Sequence, residues 1–156
     1  MPALVTYRTP VQKDWVDYNG HLRDAYYLLI FSYATDALME RIGLDADSRG
    51  QSGNSLFTLE AHINYLHEVK LGSEVWVQTQ IIGFDLKRLH LYHTLHRADF
   101  EDVLAASEQM LLHIDLAGPK SAPFTQKTEA ALQSLLDSQM DMASPEHVGR
   151  VMRLAR

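Results

Sequence analysis

The chain contains no cysteine among its 156 residues. That excludes a disulfide framework, a thiolate nucleophile and any cysteine-ligated metal or cluster. Positive charge is also short: 14 Lys and Arg stand against 20 Asp and Glu, for a formal charge of -6. A surface that neutralises many phosphates is not available, so nucleic acid is excluded as a partner. Long apolar runs are missing. The longest nearly apolar stretch is Ala25 to Ala34, about half of what a bilayer span needs. The N-terminal residues lack the basic start and apolar run of a secretory leader, so the expectation is a soluble, cytoplasmic protein without a membrane partner. No glycine-rich dinucleotide or phosphate motif, internal repeat or low-complexity tract occurs.

Aromatic residues are present and unevenly spread. Of 14, six fall between Trp15 and Tyr33. The length fits one domain with one core.

Alternation from Ala3 to Thr9 predicts a short strand ended by Pro10, which withholds a backbone donor. Residues from His21 to Ile42 favour helix, and Gly43 stands where a helix commonly ends in a left-handed residue. The middle of that helix is apolar on nearly every face, which predicts enclosure by other elements. After a loop from Asp45 to Asn54 come four period-two segments: Leu56–His67, Glu74–Phe84, Arg88–Ala98 and Leu104–Leu116. Their short connections imply mostly antiparallel neighbours. A helix is predicted near Thr125–Met140, and Ser144-Pro145-Glu146 reads as the cap and first turn of a last short one. The order implies an α+β fold: a five-stranded antiparallel sheet curled around one long buried helix, a hotdog arrangement, over residues 1–124. Residues 125–156 form a helical extension packed on the same domain. Doubly wound and eight-stranded barrel folds do not fit the element order.

The loop Asp14-Trp15-Val16-Asp17-Tyr18-Asn19-Gly20-His21 places ionisable and flexible residues at a helix N-terminus. Free N–H groups there can hold an oxyanion. A carboxylate just upstream can act on a carbonyl those groups polarise, as a base on water or by direct attack. Asp17 is the candidate. The competing reading makes Asp14, Asp17 and Asn19 ordinary loop and cap residues.

Asp17-Tyr18-Asn19-Gly20-His21-Leu22-Arg23-Asp24-Ala25-Tyr26-Tyr27-Leu28 resembles, without a gap, the D-x-x-G-H-V-N-N-x-x-Y-L signature of the 4-hydroxybenzoyl-CoA thioesterase branch of hotdog proteins. The resemblance spans about Thr6 to Pro123 and implies that Asp17 is the catalytic carboxylate. Trp15 stands where these enzymes often have another Asp; Arg23 and Asp24 replace the paired Asn, and Ser32 a frequent Glu. A narrower resemblance rests on four segments: Asp14 to His21, Ala34-Thr35-Asp36-Ala37-Leu38, Lys87-Arg88-Leu89-His90-Leu91 and Glu108-Gln109-Met110-Leu111-Leu112-His113. Together they are similar to the thioesterases of bacterial carnitine degradation, which hydrolyse betainyl-CoA to glycine betaine and CoA and occur alone or fused behind carnitine dehydrogenase. Without a dinucleotide motif this chain matches the stand-alone form.

The resemblance implies an acyl-CoA substrate, no metal or other cofactor, backbone N–H groups of Arg23 and Asp24 as oxyanion donors, and a homodimer or homotetramer. An aromatic or medium-chain acyl-CoA, or a non-catalytic acyl-CoA-binding role, are the alternatives. A trimethylammonium group is held by aromatic faces and a carboxylate. Trp15, Tyr18 and Tyr27 are the ring candidates, each competing with simple packing; Tyr26 and Tyr27 point about 100° apart on a helix. His21 flanks Gly20 and is a candidate to orient the loop. Glu60 is an anionic candidate, sharing a strand face with Thr58 and His62, or else a merely exposed strand residue. Lys87 and Arg88 follow a turn and are candidates for CoA phosphates, against a solvated turn. His90, His93 and His96 have helical spacing in a strand segment, which splits them between faces and argues against a metal site.

Overall fold

Alternation of apolar and polar side chains along a strand decides which of its sides is buried, and hence where the core lies. The computed structural model describes residues 3–155. In order, the strands are β1 (Val5–Pro10), β2 (Asn54–Tyr65), β3 (Glu74–Phe84), β4 (Arg88–Arg97), β5 (Phe100–Asp115) and the two-residue β6 (Lys120–Ser121). The helices are α1 (Asp24–Arg41), α2 (Ala46–Ser52) and α3 (Gln126–Ser138). The strands form one antiparallel sheet in the order β1-β3-β4-β5-β2, with β6 on the end of β5. This is the expected hotdog arrangement, with β6 as an addition.

On β4, Leu89, Leu91, His93 and Leu95 face inward and are fully buried, as period two requires. On α1, Tyr27, Ile30, Phe31, Ala34, Thr35 and Leu38 face the sheet at helical spacing. Enclosure on every side is not what the chain achieves. Leu28 is 44% and Tyr33 39% exposed, because one sheet covers only one flank of the helix.

His93 ties helix to sheet. Its Nε2 lies 2.9 Å from Thr35 Oγ1 on α1, and its Nδ1 2.9 Å from Thr79 Oγ1 on β3. The ring stacks on Phe31 at 5.7 Å. Burial pushes the imidazole down to about 3, so it is neutral.

Several boundaries differ from those the residues predict, for identifiable reasons. The long helix starts at Asp24, not His21, because His21 and Leu22 first pair in extended form with Lys70 and Val16. The expected loop 45–54 holds α2, which buries none of its residues and so carries no apolar period. β4 and β5 approach to a two-residue turn, where Asp99 takes a left-handed φ of 61°, a conformation Asp tolerates better than most residues. Thr125 caps α3 by accepting the Thr128 N–H at 3.2 Å. No helix forms at Ser144-Pro145-Glu146. The chain there turns instead and lies along the sheet's outer face, where side chains supply the acceptors a helix would have supplied.

Candidate active site

Between the end of the 3₁₀ turn Lys13–Trp15 and the start of α1 the chain reverses tightly. Asp17 N–H donates to His21 O and Gly20 N–H to Asp17 O, both at 2.9 Å. The Asp17 side chain holds the same turn from within: its Oδ1 accepts Asn19 N–H at 2.9 Å and His21 N–H at 3.0 Å, the behaviour that makes Asp a turn residue. Gly20 closes the reversal at φ 77°. A methyl there would meet nothing within 4 Å, so backbone conformation is what requires glycine. The His21 N–H is the main cause holding the Asp17 carboxyl below its ordinary 3.8; partial burial opposes it and the Asn19 N–H assists. Oδ2 has no hydrogen-bond partner among the described residues, and Asp17 stands in the loop behind the cleft and not among the residues that line it.

The helix start sorts the two expected oxyanion donors. Arg23 N–H is already donated to Trp15 O at 2.9 Å, because the loop passes beneath the first turn, so it is not available to a ligand as expected. Ala25 N–H is taken by Asp24 Oδ1 at 2.8 Å. Asp24 N–H has no acceptor among the described residues, and it is the donor left at this end of α1.

Beside it opens a cleft of about 550 Å³, walled by His21, Leu22 and Asp24 on one side and by Tyr27 and the segment Tyr65–Glu68 on the other. Tyr27 and Tyr65 meet edge to face at 5.0 Å. Each hydroxyl is spent on a carbonyl: Tyr27 donates to His67 O at 3.1 Å and Tyr65 to Asp24 O at 3.0 Å. Burial raises both phenols, Tyr27 to about 12; Tyr27 is only 4% exposed and belongs to the core behind the cleft, whereas Tyr65, 49% exposed, opens its ring on it. His21 Nε2 stands 2.8 Å from Glu68 Oε2. A second hollow of about 410 Å³ shares His67 and Glu68 with the first and is lined by Lys70 and Arg97.

The Thioesterase-like superfamily model matches residues 11–132, a range that holds the Asp17 turn, the helix and the whole sheet except β1. The chain belongs to the thioesterase-like superfamily. It is 58% identical over 152 residues to the betainyl-CoA thioesterase of Pseudomonas aeruginosa, covering 97% of this chain and 96% of that protein. Among solved structures it is similar to a Pseudomonas putida protein described as a candidate thioesterase, at 73% identity and a TM-score of 0.91 over 100% of this chain and 99% of that one. It is also similar to a Staphylococcus aureus protein solved in complex with CoA, at 29% identity and a TM-score of 0.92 over 99% and 98% of the two chains.

Within this thioesterase-like chain the remaining sequence candidates do not all reach the cleft. Trp15 is 7% exposed and stacks on Tyr26 at 6.2 Å, so it is part of the core beneath the loop. Tyr18 is 93% exposed at the tip of the turn. A bulge between Thr58 and Glu60 puts these two residues on opposite faces, where unbroken alternation had put them on one. Glu60 and His62 then stand opposite Met110 and Glu108 on the outer face, away from Tyr65. Lys87 and Arg88 sit at the other end of the sheet. Arg88 is seven residues before Leu95, whose neighbour across β5 pairs with Tyr65, roughly 24 Å at 3.4 Å per residue. There Arg88 Nε donates to Asp85 Oδ2 at 2.7 Å and Lys87 Nζ to Ser121 Oγ at 3.1 Å. The Arg88 guanidinium is the main cause holding Asp85 down to about 2. Tyr65, Glu68, Lys70 and Arg97 went unmarked in the sequence because nothing local distinguishes them from strand and loop residues.

No helix is long and apolar enough to cross a membrane, and among the described residues no group of three or more His, Asp or Glu side chains could hold a metal ion.

Proposed function

We propose that this chain hydrolyses the thioester of betainyl-CoA to glycine betaine and CoA. The observation that carries the reading is the Asp17 carboxylate, ionised, fixed by its own turn and left with one unpaired oxygen, in the loop that delivers His21 and Asp24 to the wall of the cleft. Asp24 N–H polarises the thioester carbonyl, and Asp17 Oδ2 acts on the carbonyl carbon or on water. The lowered carboxyl value favours direct attack, since a good general base titrates near the working pH. The 58% identity to a betainyl-CoA thioesterase supports the acyl group. The exposed ring of Tyr65, backed by Tyr27, with Asp24 and Glu68 on the same cleft, offers a cation a face and the negative charge it needs.

A second copy completes the site. β2 is a 12-residue edge strand with no neighbour on its outer side among the described residues, and Phe57 and Leu59 on it are 43% and 55% exposed. A long apolar edge is a template for pairing, so two copies join along β2 into one continuous sheet. The antiparallel seam carries the partner's far sheet end, with its Lys87 and Arg88, toward the cleft, where they join Lys70 and Arg97 as phosphate ligands. A thiol-release assay over betainyl-, benzoyl- and octanoyl-CoA tests the substrate directly, and the cysteine-free chain adds no background. The highest kcat/KM is expected for betainyl-CoA; a higher value for either other ester overturns the assignment.

A further inference from the structure

The end of the chain shows a surface that its own body leaves uncovered. After α3 the backbone runs along the outer face of the sheet and is held at two points: His147 N–H donates to Tyr92 OH at 3.3 Å, and Gly149 N–H to Glu108 Oε1 at 2.7 Å. The other oxygen of Glu108 meets His90 Nε2 at 2.6 Å, so the anchor is itself braced. Beyond it the chain covers nothing. Val151 is 74% exposed, Met152 89% and Leu154 94%. Three large apolar side chains in four positions are costly to leave in water, and a segment meant to stay solvated is normally polar.

Charge points to what covers them. The last seven residues hold Arg150, Arg153 and Arg156 and no acid, on a chain whose net charge is -6. A basic, apolar strip suits an acidic, apolar counter-surface, and the chain carries one. Arg150 and Gly149 share a hollow of about 290 Å³ with Glu60, His62 and Glu108. That hollow borders β2, the unpaired edge where Phe57 and Leu59 are exposed. The tail therefore leaves the body at the sheet edge with its apolar residues still ahead of it. Neighbouring strands lie about 4.8 Å apart, and five extended residues span about 16 Å, enough to cross an adjoining β2 and reach the strand behind it.

We infer that Val151–Ala155 is an intersubunit arm: it crosses the β2 seam and lays Val151, Met152 and Leu154 on the outer face of a second copy, with Arg153 against that copy's Glu60. The inference rests on the proposed pairing along β2, and two measurements keep the two apart. The first is sedimentation of the full chain and of a chain ending at Gly149. Loss of the arm is expected to raise the dimer dissociation constant by about tenfold or more. The second uses the absence of native cysteine. Chains carrying only Met152→Cys are mixed with tagged chains carrying only Glu60→Cys and treated with a short bismaleimide, and a covalent hetero-pair is expected. A wild-type chain that sediments as a monomer overturns both the seam and the arm. A dimer that neither weakens on truncation nor cross-links between chains overturns the arm alone, as does a Glu60→Cys, Met152→Cys double variant that links only within itself.

Discussion

The Asp17 carboxylate accepts the backbone N–H of His21 at 3.0 Å, across the turn that delivers His21 to the wall of the cleft. One oxygen builds the loop, and the other, unpaired among the described residues, is the one the proposed function assigns to the thioester. Asp17→Asn separates these duties, since an amide Oδ1 can accept the same two N–H groups while the charge is lost. The turnover of betainyl-CoA is expected to fall by about 10²- to 10⁴-fold, and further if Asp17 is the nucleophile, with thermal stability close to wild type. Wild-type turnover in this variant removes Asp17 from the chemistry.

The same hydrogen bonds set the pH dependence. Asp17 is held below 3.8 in the folded chain, so it stays a carboxylate at any higher pH and loses charge only as pH falls through that lowered value. Stability from these bonds follows the same sign: present above the unfolded value, lost below the folded one. In a profile of kcat/KM against pH, the acid limb belonging to Asp17 is expected below pH 4. A limb centred near neutrality would place the essential carboxylate elsewhere.

His93 makes the opposite sort of prediction, about stability and not activity. Burial holds its imidazole at about 3 in the folded chain, against an ordinary value of 6.5. Between these the unfolded chain binds a proton that the folded one does not, so stability falls with falling pH by up to about 1.4 kcal/mol per unit. Urea unfolding at pH 6 and pH 4 is expected to show a drop in wild type larger by roughly 2–3 kcal/mol than in His93→Gln. Equal drops would mean that His93 is not the buried neutral group.

Trp15 separates core from pocket. Buried against Tyr26, it is expected to cost about 3 kcal/mol or more of folding stability as Trp15→Ala. Calorimetry with glycine betaine, at a temperature where the variant is folded, is expected to find affinity within about twofold of wild type, as for a site that touches no ligand. A large loss of affinity with stability intact would return the ring to the ligand.

Gly20 tests the turn itself. With φ at 77° and open space around it, Gly20→Ala is expected to cost about 1 kcal/mol from backbone strain alone and to lower kcat by loosening Asp17. Chemical denaturation and steady-state kinetics on the one variant check both; unchanged values on both would show that the left-handed residue is dispensable.

The local features were legible in the residues. Period-two runs marked the strands because inner and outer faces differ in every second side chain, and β3 spans the very residues expected, Glu74–Phe84. The Asp17 turn was marked by Asp and Gly at the spacing that a carboxylate-stabilised reversal needs. What failed depended on geometry with no local signal. One extra residue in β2 turned Glu60 to the outer face, and the alternation on either side of it gave no warning. The N–H of Arg23 was taken by Trp15 O, a contact between residues eight apart that only the folded loop creates. Trp15 and Tyr27 look alike as aromatic neighbours of a helix start, and both went to the core, Tyr27 alone reaching the back of the cleft. The aromatic cluster and its nearby carboxylate were thus a matter of sequence, fixed by which side chains occur and how far apart. Which rings meet a ligand, which donor stays free and which face each strand residue takes were decided by tertiary packing, because burial and hydrogen-bond competition are settled between segments and not within them.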